Sequence, residues 1–387
     1  MEYKLENKTL TIKLATRIDG NNSEQVANEI IEIMKNGEYN LITLDACNLE
    51  YISSAGLRVI LKIKKMFDNM KVINVKREVY DIFEMTGFTQ MLEIIKEFRH
   101  LDVTGCPIIG KGAKGTVYRY DNDIIVKVYN DPVLDLVTNE RFLARLAFVL
   151  GVPTAISYDT VMVGDKYGSV FELVNANNLT YFIKQNPEEI EKYASIMANL
   201  FKTVHSTNAN PKDLVSAKDF FFKKTNLILE DLDKPRQEKL NYLLSTIKEE
   251  NYLNHGDFHS NNIMMQNGEA ILIDMDTLSC GNIIFDFANT YTCHMGFGSV
   301  NREMSEEFLG IKYELSQKLY NLFIKDYFEG RSDIDLIKDK IALLSLTRMY
   351  YHFKRRKKQE TDYQNELNNI LERAINLIDK LDDLNIN

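Results

Sequence analysis

The 387-residue chain contains no tryptophan, six prolines and four cysteines, and its formal charge at pH 7 is -9. The cysteines form no Cys-x-x-Cys pair and no cluster with histidine at zinc spacing, so we expect reduced thiols. The acidic balance argues against a dedicated nucleic-acid binder, which usually carries a basic face. No apolar run is long enough to cross a membrane, and residues 1–7 lack the apolar core of a secretory signal. We therefore expect a cytoplasmic protein of two or three domains that contacts neither nucleic acid nor a membrane.

Residues 1–98 show the alternation of strands and helices that is typical of a small β/α domain. Strand-like patterns occur at residues 10–14, 40–44 and 71–75. Helical periodicity covers residues 23–35, 57–63 and 79–87. This order predicts a sheet covered by helices.

The segment YISSAGLRV, residues 51–59, resembles the STAS domain of anti-sigma factor antagonists. In that family a partner kinase phosphorylates a serine at a helix N-terminus, and Ser54 is the matching position. Free backbone N–H groups and the helix dipole would accommodate a phosphate there. Phosphorylated relatives often have an aspartate where this chain has Ser53, and the alternative is that the two serines form only a helix cap. The resemblance also implies a protein partner for this domain.

Residues 105–178 are predicted to form a nucleotide-binding lobe. Gly110, Gly112 and Gly115 lie between two strand-like segments, and glycines in a strand–turn–strand let backbone N–H groups approach phosphates. Lys127, in the next strand, is predicted to face those phosphates. Glu140, 13 residues later in a helical stretch, is the candidate carboxylate that holds it. The alternatives are a lysine that reaches solvent and a solvated carboxylate in the first turn of the helix.

Residues 167–174 are predicted to be the last of five strands in this lobe, and residues 179–387 are predicted to form a mostly helical lobe. The segment between the two lobes is where adenine commonly pairs with backbone groups. Glu172 and Val174 are therefore the candidate nucleotide-binding residues at this hinge.

The segment HGDFHSNN, residues 255–262, carries the chemistry. Asp257 and Asn262 lie five residues apart, and Asp274 follows Asp257 by 17 residues, beyond a hairpin predicted around Asn267-Gly268. Phosphoryl transfer from a nucleotide requires a carboxylate that orients a hydroxyl and oxygen ligands that hold Mg²⁺. The first role suits Asp257, and the second suits Asn262 and Asp274.

These elements together resemble the aminoglycoside phosphotransferase and choline kinase group, over about residues 105–295. The resemblance implies the two-lobed protein-kinase-like fold, with a mixed β N-lobe and a helical C-lobe, and it implies ATP, Mg²⁺ and a small hydroxyl-bearing acceptor. It further implies that Asp286 braces the catalytic loop through backbone hydrogen bonds. His259, which distinguishes this group from protein kinases, is expected to pack the loop, the alternative being a proton carrier.

The sequence thus predicts a multidomain α/β and α+β protein: an ATP-dependent phosphotransferase with a STAS domain for regulation or partner binding. One alternative is a kinase that phosphorylates a STAS serine such as Ser54. Transfer between molecules would then be easier, because a link of about six residues spans only about 20 Å. Another alternative is a nucleotide-sensing adaptor without turnover, against which the intact set of Asp257, Asn262 and Asp274 argues. The sequence does not identify the acceptor; acidic residues such as Glu303 and Glu306 would suit a cationic one.

Overall fold

The computed structural model describes residues 1–35, 37–112, 114–131, 133–174, 176–223, 226–356 and 363–386, apart from the side chains of Asp135 and Arg356. The chain divides into two compact units, Met1–Asp102 with Val161–Gly164, and Val103–Thr160 with Asp165–Asn387. Within the described residues, no helix combines the length and the apolar character needed to cross a bilayer.

The first unit alternates strands and helices, as predicted. Its strands are β1 (Tyr3–Glu6), β2 (Thr9–Lys13), β3 (Arg17–Ile18), β4 (Leu41–Asp45), β5 (Tyr51–Ile52), β6 (Met70–Val75), β7 (Glu93–Lys96) and β8 (Arg99–His100), and its helices are α1 (Ser23–Met34), α2 (Ser54–Met66) and α3 (Arg77–Met85). Five strands form a sheet in the order β1-β2-β4-β6-β7, parallel except for the β1–β2 pair. The edge strands β1 and β7 were not predicted, because each has only four residues, two of them charged.

Helix α2 begins at a serine pair in which the two hydroxyls have different surroundings. The Ser53 hydroxyl accepts hydrogen bonds from the backbone N–H groups of Ala55 and Gly56, at 3.2 and 3.4 Å, and so caps the helix. Ser54 is the first helical residue and is exposed. One turn later, a Cβ on Gly56 would lie 2.6 Å from the carbonyl oxygen of Ile18. The helix therefore packs directly on β3, and only glycine fits there.

The second unit starts with an N-lobe sheet. Its strands are β9 (Ile108–Lys111), β10 (Gly115–Arg119), β11 (Ile124–Tyr129), β12 (Ser157–Val163) and β13 (Lys166–Glu172), with helix α4 (Leu134–Val149) between β11 and β12. These five lie in the order β12-β13-β11-β10-β9. The prediction of a five-stranded sheet differs from the structure by one strand, because residues 161 and 162 of β12, which belong to the first unit, also pair with the two-residue strand β8. A two-residue strand has too few positions to show periodicity.

The rest of the second unit is mostly helical, as predicted. Its helices are α5 (Leu179–Gln185), α6 (Ile190–His205), α7 (Ala217–Phe222), α8 (Asn226–Leu229), α9 (Lys234–Ser245), α10 (Ile284–Tyr291), α11 (Phe297–Val300), α12 (Glu303–Leu309), α13 (Tyr313–Tyr327), α14 (Ile334–Arg356) and α15 (Gln364–Lys380). Short strands lie between them: β14 (Asn177–Asn178), β15 (Val215–Ser216), β16 (Tyr252–Asn254), β17 (Ile263–Gln266), β18 (Glu269–Leu272) and β19 (Ser279–Gly281). Helices α10 and α11 are joined by a π-helical turn, Thr292–Gly296.

Two local features of this helical part position the candidate site. Strand β16 leads directly into the segment at residues 255–262, so the loop leaves a sheet that is anchored by β19. Strands β17 and β18 form the predicted hairpin, whose two turn residues, Asn267 and Gly268, have φ of 51° and 86°. Positive φ at both positions is what a type I′ turn requires, which confirms the hairpin.

Replacing Gly56 with alanine should destabilise the first unit by about 1–3 kcal/mol, because the new methyl group must displace the backbone of β3. Urea denaturation of the full chain, followed by circular dichroism, measures this loss. Gly20→Ala is the matched control, since a Cβ there meets nothing within 4 Å. Equal stability of the two variants would contradict the close packing of α2 on β3.

Candidate active site

The loop at residues 255–262 is held by one buried carboxylate, that of Asp286 in α10. Its two oxygens accept hydrogen bonds from the backbone N–H groups of His255 and Gly256, both at 2.8 Å. Gly256 has φ of +81°, and a Cβ there would lie 2.6 Å from the carbonyl oxygen of Thr277. Glycine is therefore required by both conformation and space. The expectation that Asp286 braces the loop is confirmed.

Asp286 is in turn supported by residues that are distant in sequence. His205 Nε2, at the end of α6, lies 3.2 Å from Asp286 Oδ2, and His205 Nδ1 lies 2.9 Å from the Tyr327 hydroxyl. Asp286 and His205 are both buried. A buried charge is tolerated only when several polar groups surround it, and here backbone and histidine donors supply them.

His255 fixes the loop from inside. The backbone N–H of Asp257 donates to His255 Nδ1 at 3.2 Å, and His255 Nε2 lies 3.2 Å from the carbonyl oxygen of Ile273. The hydroxyl of Thr277 donates to the carbonyl oxygen of His255 at 2.8 Å. These two bonds join the loop to Ile273 and Thr277, which precede and follow Asp274 in the sequence.

Asp257 lies between two polar neighbours of its own loop. The amide nitrogen of Asn262 donates to the Asp257 carbonyl oxygen at 2.9 Å and lies 3.4 Å from its Oδ2, while His259 Nε2 lies 3.6 Å from Oδ2. Burial would raise the pKa of the Asp257 carboxyl, but the facing imidazoles of His259 and His255 and the cation of Arg348 hold it well below its usual range. The carboxylate is thus ionised and available as a hydrogen-bond acceptor.

Asn262 and Asp274 are brought together by the strands that follow the loop. The backbone N–H of Ile273 donates to the carbonyl oxygen of Asn262 at 2.9 Å, so Asp274 follows directly from this pairing. Asp274 has φ of +65°, a left-handed conformation that aspartate adopts more readily than most residues. The Asn262 amide nitrogen is engaged by Asp257, whereas its amide oxygen accepts no hydrogen bond from the described residues.

The side-chain oxygen atoms of Asn262 and Asp274 suit a hard cation as ligands. One amide oxygen and one carboxylate are the oxygen ligands that Mg²⁺ uses in nucleotide sites, where phosphates and water complete the octahedron. No group of three or more His, Cys, Asp or Glu side chains that could hold a metal by themselves occurs in the described ranges. The residues therefore suit a cation that arrives with a phosphorylated ligand.

Lys127 connects the two lobes of the second unit. Its Nζ donates to Glu140 Oε1 at 2.7 Å and lies 3.5 Å from Asp274 Oδ1. The second oxygen of Glu140 accepts from the Tyr129 hydroxyl at 2.9 Å. Glu140 is buried, and burial raises the pKa of its carboxyl against the opposing effect of Lys127. The structure excludes the solvent-facing alternative for Lys127, and Glu140 lies in the second turn of α4 rather than the first.

The three glycines of the loop differ in the space that surrounds them. A Cβ on Gly115 would lie 2.3 Å from the carbonyl oxygen of Val128, so this glycine is required for the pairing of β10 with β11. A Cβ on Gly112 would meet nothing within 4 Å, and one on Gly110 would make ordinary contact with Val117. There is therefore space for a ligand beside Gly112, although the N–H of Gly112 itself donates to the carbonyl oxygen of Gly115 at 2.9 Å. Lys114, in the same loop, pairs with Asp276, which follows Asp274 by two residues.

The two hinge residues lie at the end of the N-lobe sheet. Glu172 is the last residue of β13, and its side chain accepts from the backbone N–H of Ile156 at 3.2 Å. Val174 is buried, and its carbonyl oxygen accepts from the N–H of Ala176 at 2.9 Å. The Glu172 side chain thus braces the sheet, and the N–H groups of Glu172 and Leu173 already donate to the carbonyl oxygens of Ile156 and Asp123, at 2.9 and 2.7 Å.

Sequence reasoning missed the residues that support the site from afar. His205 and Tyr327 hold Asp286, and Tyr129 holds Glu140. His205 and Tyr327 lie far in sequence from the loop motif, and helix packing brings them to Asp286, whereas Tyr129 lies two residues after Lys127 on the same strand. Lys114 could have been proposed from the sequence, because it is a cationic residue within a glycine-rich loop. Nothing in the sequence indicated its partner.

Comparison with known protein families gives the class of the protein. The phosphotransferase enzyme family matches residues 106–311, just over half of the 387 residues, and the STAS domain matches residues 1–102. BtrV of Bordetella bronchiseptica, a protein named as an anti-sigma factor antagonist, is 32% identical over 81 residues, which cover 20% of this chain and 69% of BtrV. The chain belongs to the phosphotransferase enzyme family and carries a STAS domain at its N-terminus, as the sequence predicted.

Two solved structures are also similar to the chain. The ADP-bound aminoglycoside phosphotransferase APH(2'')-Ib is 18% identical, with 77% of this chain and 98% of that chain covered and a TM-score of 0.48. The amicoumacin kinase hAmiN in complex with AMP-PNP, Ca²⁺ and Ami is 16% identical, with 77% and 93% covered and a TM-score of 0.48.

Replacing Asp286 with alanine should lower the free energy of unfolding of the second unit by about 3 kcal/mol, because two buried backbone N–H groups lose their acceptor. Thermal and urea denaturation of the full chain measure the change. Asp335→Ala is the matched control, since that side chain is fully exposed, and its stability should stay at that of the unmodified chain. Equal stability of the two variants would show that Asp286 does not brace the loop.

Proposed function

We propose that this phosphotransferase moves the γ-phosphoryl group of ATP to a hydroxyl group of a small molecule, with Mg²⁺ as cofactor and the STAS domain as a handle for regulation or partner binding. The observation that carries the proposal is the position of Lys127, whose Nζ lies between Glu140 of the N-lobe and Asp274 of the C-lobe. A lysine held in this way has one buried partner that fixes it and one partner beside the predicted metal site. Phosphate oxygens are the ligands that such a cation suits.

The nucleotide would lie between the glycine loop and the hairpin of β17 and β18. Backbone N–H groups near Gly112 would contact its phosphates, and Lys127 would pair with their charge while Glu140 keeps the lysine in place. Asn262 and Asp274 would hold Mg²⁺, which supplies charge neutralisation at the phosphates. Backbone groups of residues 172–174 would bind adenine. The Glu172 carboxylate is already engaged with the sheet and is not part of this assignment.

The acceptor side of the reaction depends on Asp257. Its carboxylate would accept a hydrogen bond from the acceptor hydroxyl and aim that oxygen at the γ-phosphorus. The Asn262 amide and the His259 ring flank this carboxylate and limit its rotation. The residue acts by orientation, since the charged phosphoryl group needs positioning and fixed donors more than covalent help.

We assign the domain organisation accordingly. Residues 1–98 form the STAS-like domain, residues 105–178 the nucleotide lobe, and residues 179–387 the lobe that carries Asp257 and binds the acceptor. The match of the STAS domain to residues 1–102 and the division of the chain near residue 102 support the first boundary.

The Asp257→Asn variant should lose phosphoryl transfer by a factor of about 10²–10⁴ in kcat. The neutral amide oxygen is a weaker acceptor for the proton of the acceptor hydroxyl than the negatively charged carboxylate. Nucleotide binding should persist, since Asp257 contacts no residue assigned to the nucleotide except Asn262. ATP turnover with a panel of hydroxyl compounds, together with titration of a fluorescent nucleotide, separates the two effects. Asp382→Asn, at a side chain that is 98% exposed, is the control. Retention of more than a tenth of the activity would contradict the role of Asp257.

A second candidate function is phosphorylation of Ser54 by the kinase-like domain of another copy of the chain. The observation that favours it is the difference between the surroundings of the Ser53 and Ser54 hydroxyls at the start of α2. The Ser53 hydroxyl is used as the cap, whereas the exposed Ser54 hydroxyl has no hydrogen-bond partner among the residues that the structure describes. A phosphate on Ser54 would lie at the helix N-terminus, where the dipole favours it.

Incubation of the full chain with ATP and Mg²⁺ should then add one phosphate, which peptide mass spectrometry should locate at Ser54. The variant Ser54→Ala should accept none. The matched variant Ser53→Ala should still be modified, although it loses about 1 kcal/mol of cap stabilisation. An unmodified Ser54 at high protein concentration, in a preparation that turns over ATP, would contradict this second function.

A further inference from the structure

The glycine loop contacts the helical lobe through the side chain of Lys114. Its ammonium group pairs with the carboxylate of Asp276, in the short turn that follows Asp274. The side chain of Lys114 is 60% exposed, whereas that of Asp276 is only 11% exposed. An ion pair whose cation lies mostly in water holds that cation weakly. The ammonium group of Lys114 is therefore within reach of a ligand and able to exchange its partner.

The backbone of Lys114 is fixed, although its side chain is exposed. Its carbonyl oxygen accepts a hydrogen bond from the backbone N–H of Asn130 at 2.9 Å. The next residue, Gly115, pairs with Tyr129 and packs against the carbonyl oxygen of Val128. A lysine side chain is a flexible stem of four carbons. Rotation of that stem is therefore enough to move the ammonium group, while the loop keeps its position.

The register of β11 gives the direction in which a nucleotide would lie. At one end of this strand Ile124 pairs with Glu172, in the segment to which we assign adenine. Lys127 lies three residues further along, and Asn130, which holds the backbone of Lys114, lies three residues beyond Lys127. A strand advances about 10 Å over three residues. A nucleotide whose base lies at the hinge and whose phosphates reach Lys127 therefore directs its terminal phosphate toward Lys114.

Both lysines of the nucleotide lobe approach the same acidic turn. Lys127 Nζ lies 3.5 Å from Asp274 Oδ1, and Lys114 pairs with Asp276, two residues further along the chain. The carboxylates of this turn are thus balanced by two ammonium groups. The Mg²⁺ ion of a metal–nucleotide complex would supply positive charge beside the turn, and its phosphates would supply negative charge for the lysines. An exchange of partners therefore leaves neither the carboxylates nor the lysines without an opposite charge.

We propose that Lys114 binds the terminal phosphate of the nucleotide, and that its ammonium group leaves Asp276 to do so. The inference rests on the proposed function and adds to it a side chain that distinguishes a nucleoside triphosphate from a diphosphate. A lysine ammonium is a compact charge with three donors, which suits the oxygens of a phosphate that is about to be transferred. The alternative is that Lys114 stays on Asp276 and only screens the charge of that carboxylate from the phosphates.

The first test compares the binding of AMP-PNP and of ADP to the full chain by calorimetry in the presence of Mg²⁺. Lys114→Met should weaken AMP-PNP binding by about tenfold or more and ADP binding by less than about threefold, because ADP lacks the terminal phosphate. Lys166→Met is the matched control, since it removes one charge from an exposed lysine at the start of β13 in the same lobe. This control should bind both nucleotides as the unmodified chain does.

A second comparison separates phosphate binding from the screening of Asp276. The substitution Lys114→Met is repeated in a chain that already carries Asp276→Asn, so that no carboxylate remains at that position to be screened. If Lys114 binds the phosphate, the second substitution should again weaken AMP-PNP binding by about tenfold or more. If Lys114 only screens Asp276, the second substitution should change nothing. Circular dichroism of each variant verifies that it is folded.

Three results would overturn the inference: undiminished AMP-PNP binding by the folded Lys114→Met variant, an equal loss for AMP-PNP and ADP, or no effect of Lys114→Met in the chain that carries Asp276→Asn. Failure of the proposed function has a different signature. The selective loss of AMP-PNP binding would then appear as expected, yet ³¹P NMR of the unmodified chain with ATP, Mg²⁺ and the panel of hydroxyl compounds would detect no transferred phosphate. An unmodified chain that binds neither nucleotide would contradict both.

Discussion

The site depends on one constraint, the pairing of the Asp286 carboxylate with two successive backbone N–H groups. The loop must reverse direction at Gly256, and a reversed backbone leaves polar groups that point into the protein interior. Asp286 satisfies two of them at once, at 2.8 Å each. Because the carboxylate is itself held by His205, the direction of the loop is set by the packing of α6 against α10. The position of Asp257 is therefore a property of the helical core.

The nucleotide side of the site is organised differently, by ion pairs between lysines and carboxylates. Lys127 has two acidic neighbours, one from each lobe, and Lys114 pairs with the acidic residue two positions after Asp274. Burial raises the pKa of the Asp276 carboxyl, and the negative charge of Asp274 adds to that effect. Two lysines and three carboxyl groups, those of Glu140, Asp274 and Asp276, thus interact where the lobes meet. A phosphate chain with its cation would redistribute these pairs, since it brings both signs of charge to the same place.

The sequence predicted the parts of this arrangement that are written in local patterns. Alternation indicated the strands and Asn267-Gly268 indicated the hairpin, whereas the brace from Asp286 was implied by the resemblance to the phosphotransferase group. The parts that failed have physical reasons. Strands β1, β7 and β8 are short or charged edge segments, so periodicity could not reveal them. Glu172 was assigned from its place in the chain, whereas its carboxylate satisfies a strand N–H, which depends on a register that no local pattern records. His205 and Tyr129 required the tertiary structure.

The acceptor side shows the same limit in its sharpest form. On this side the local motif of residues 255–262 indicates Asp257 and no residue that would select the acceptor. A phosphate chain presents the same oxygens in every nucleotide, so the residues that bind it can recur as a compact motif. Acceptors differ in size and charge, so their contacts come from helix faces whose outward residues are free to vary.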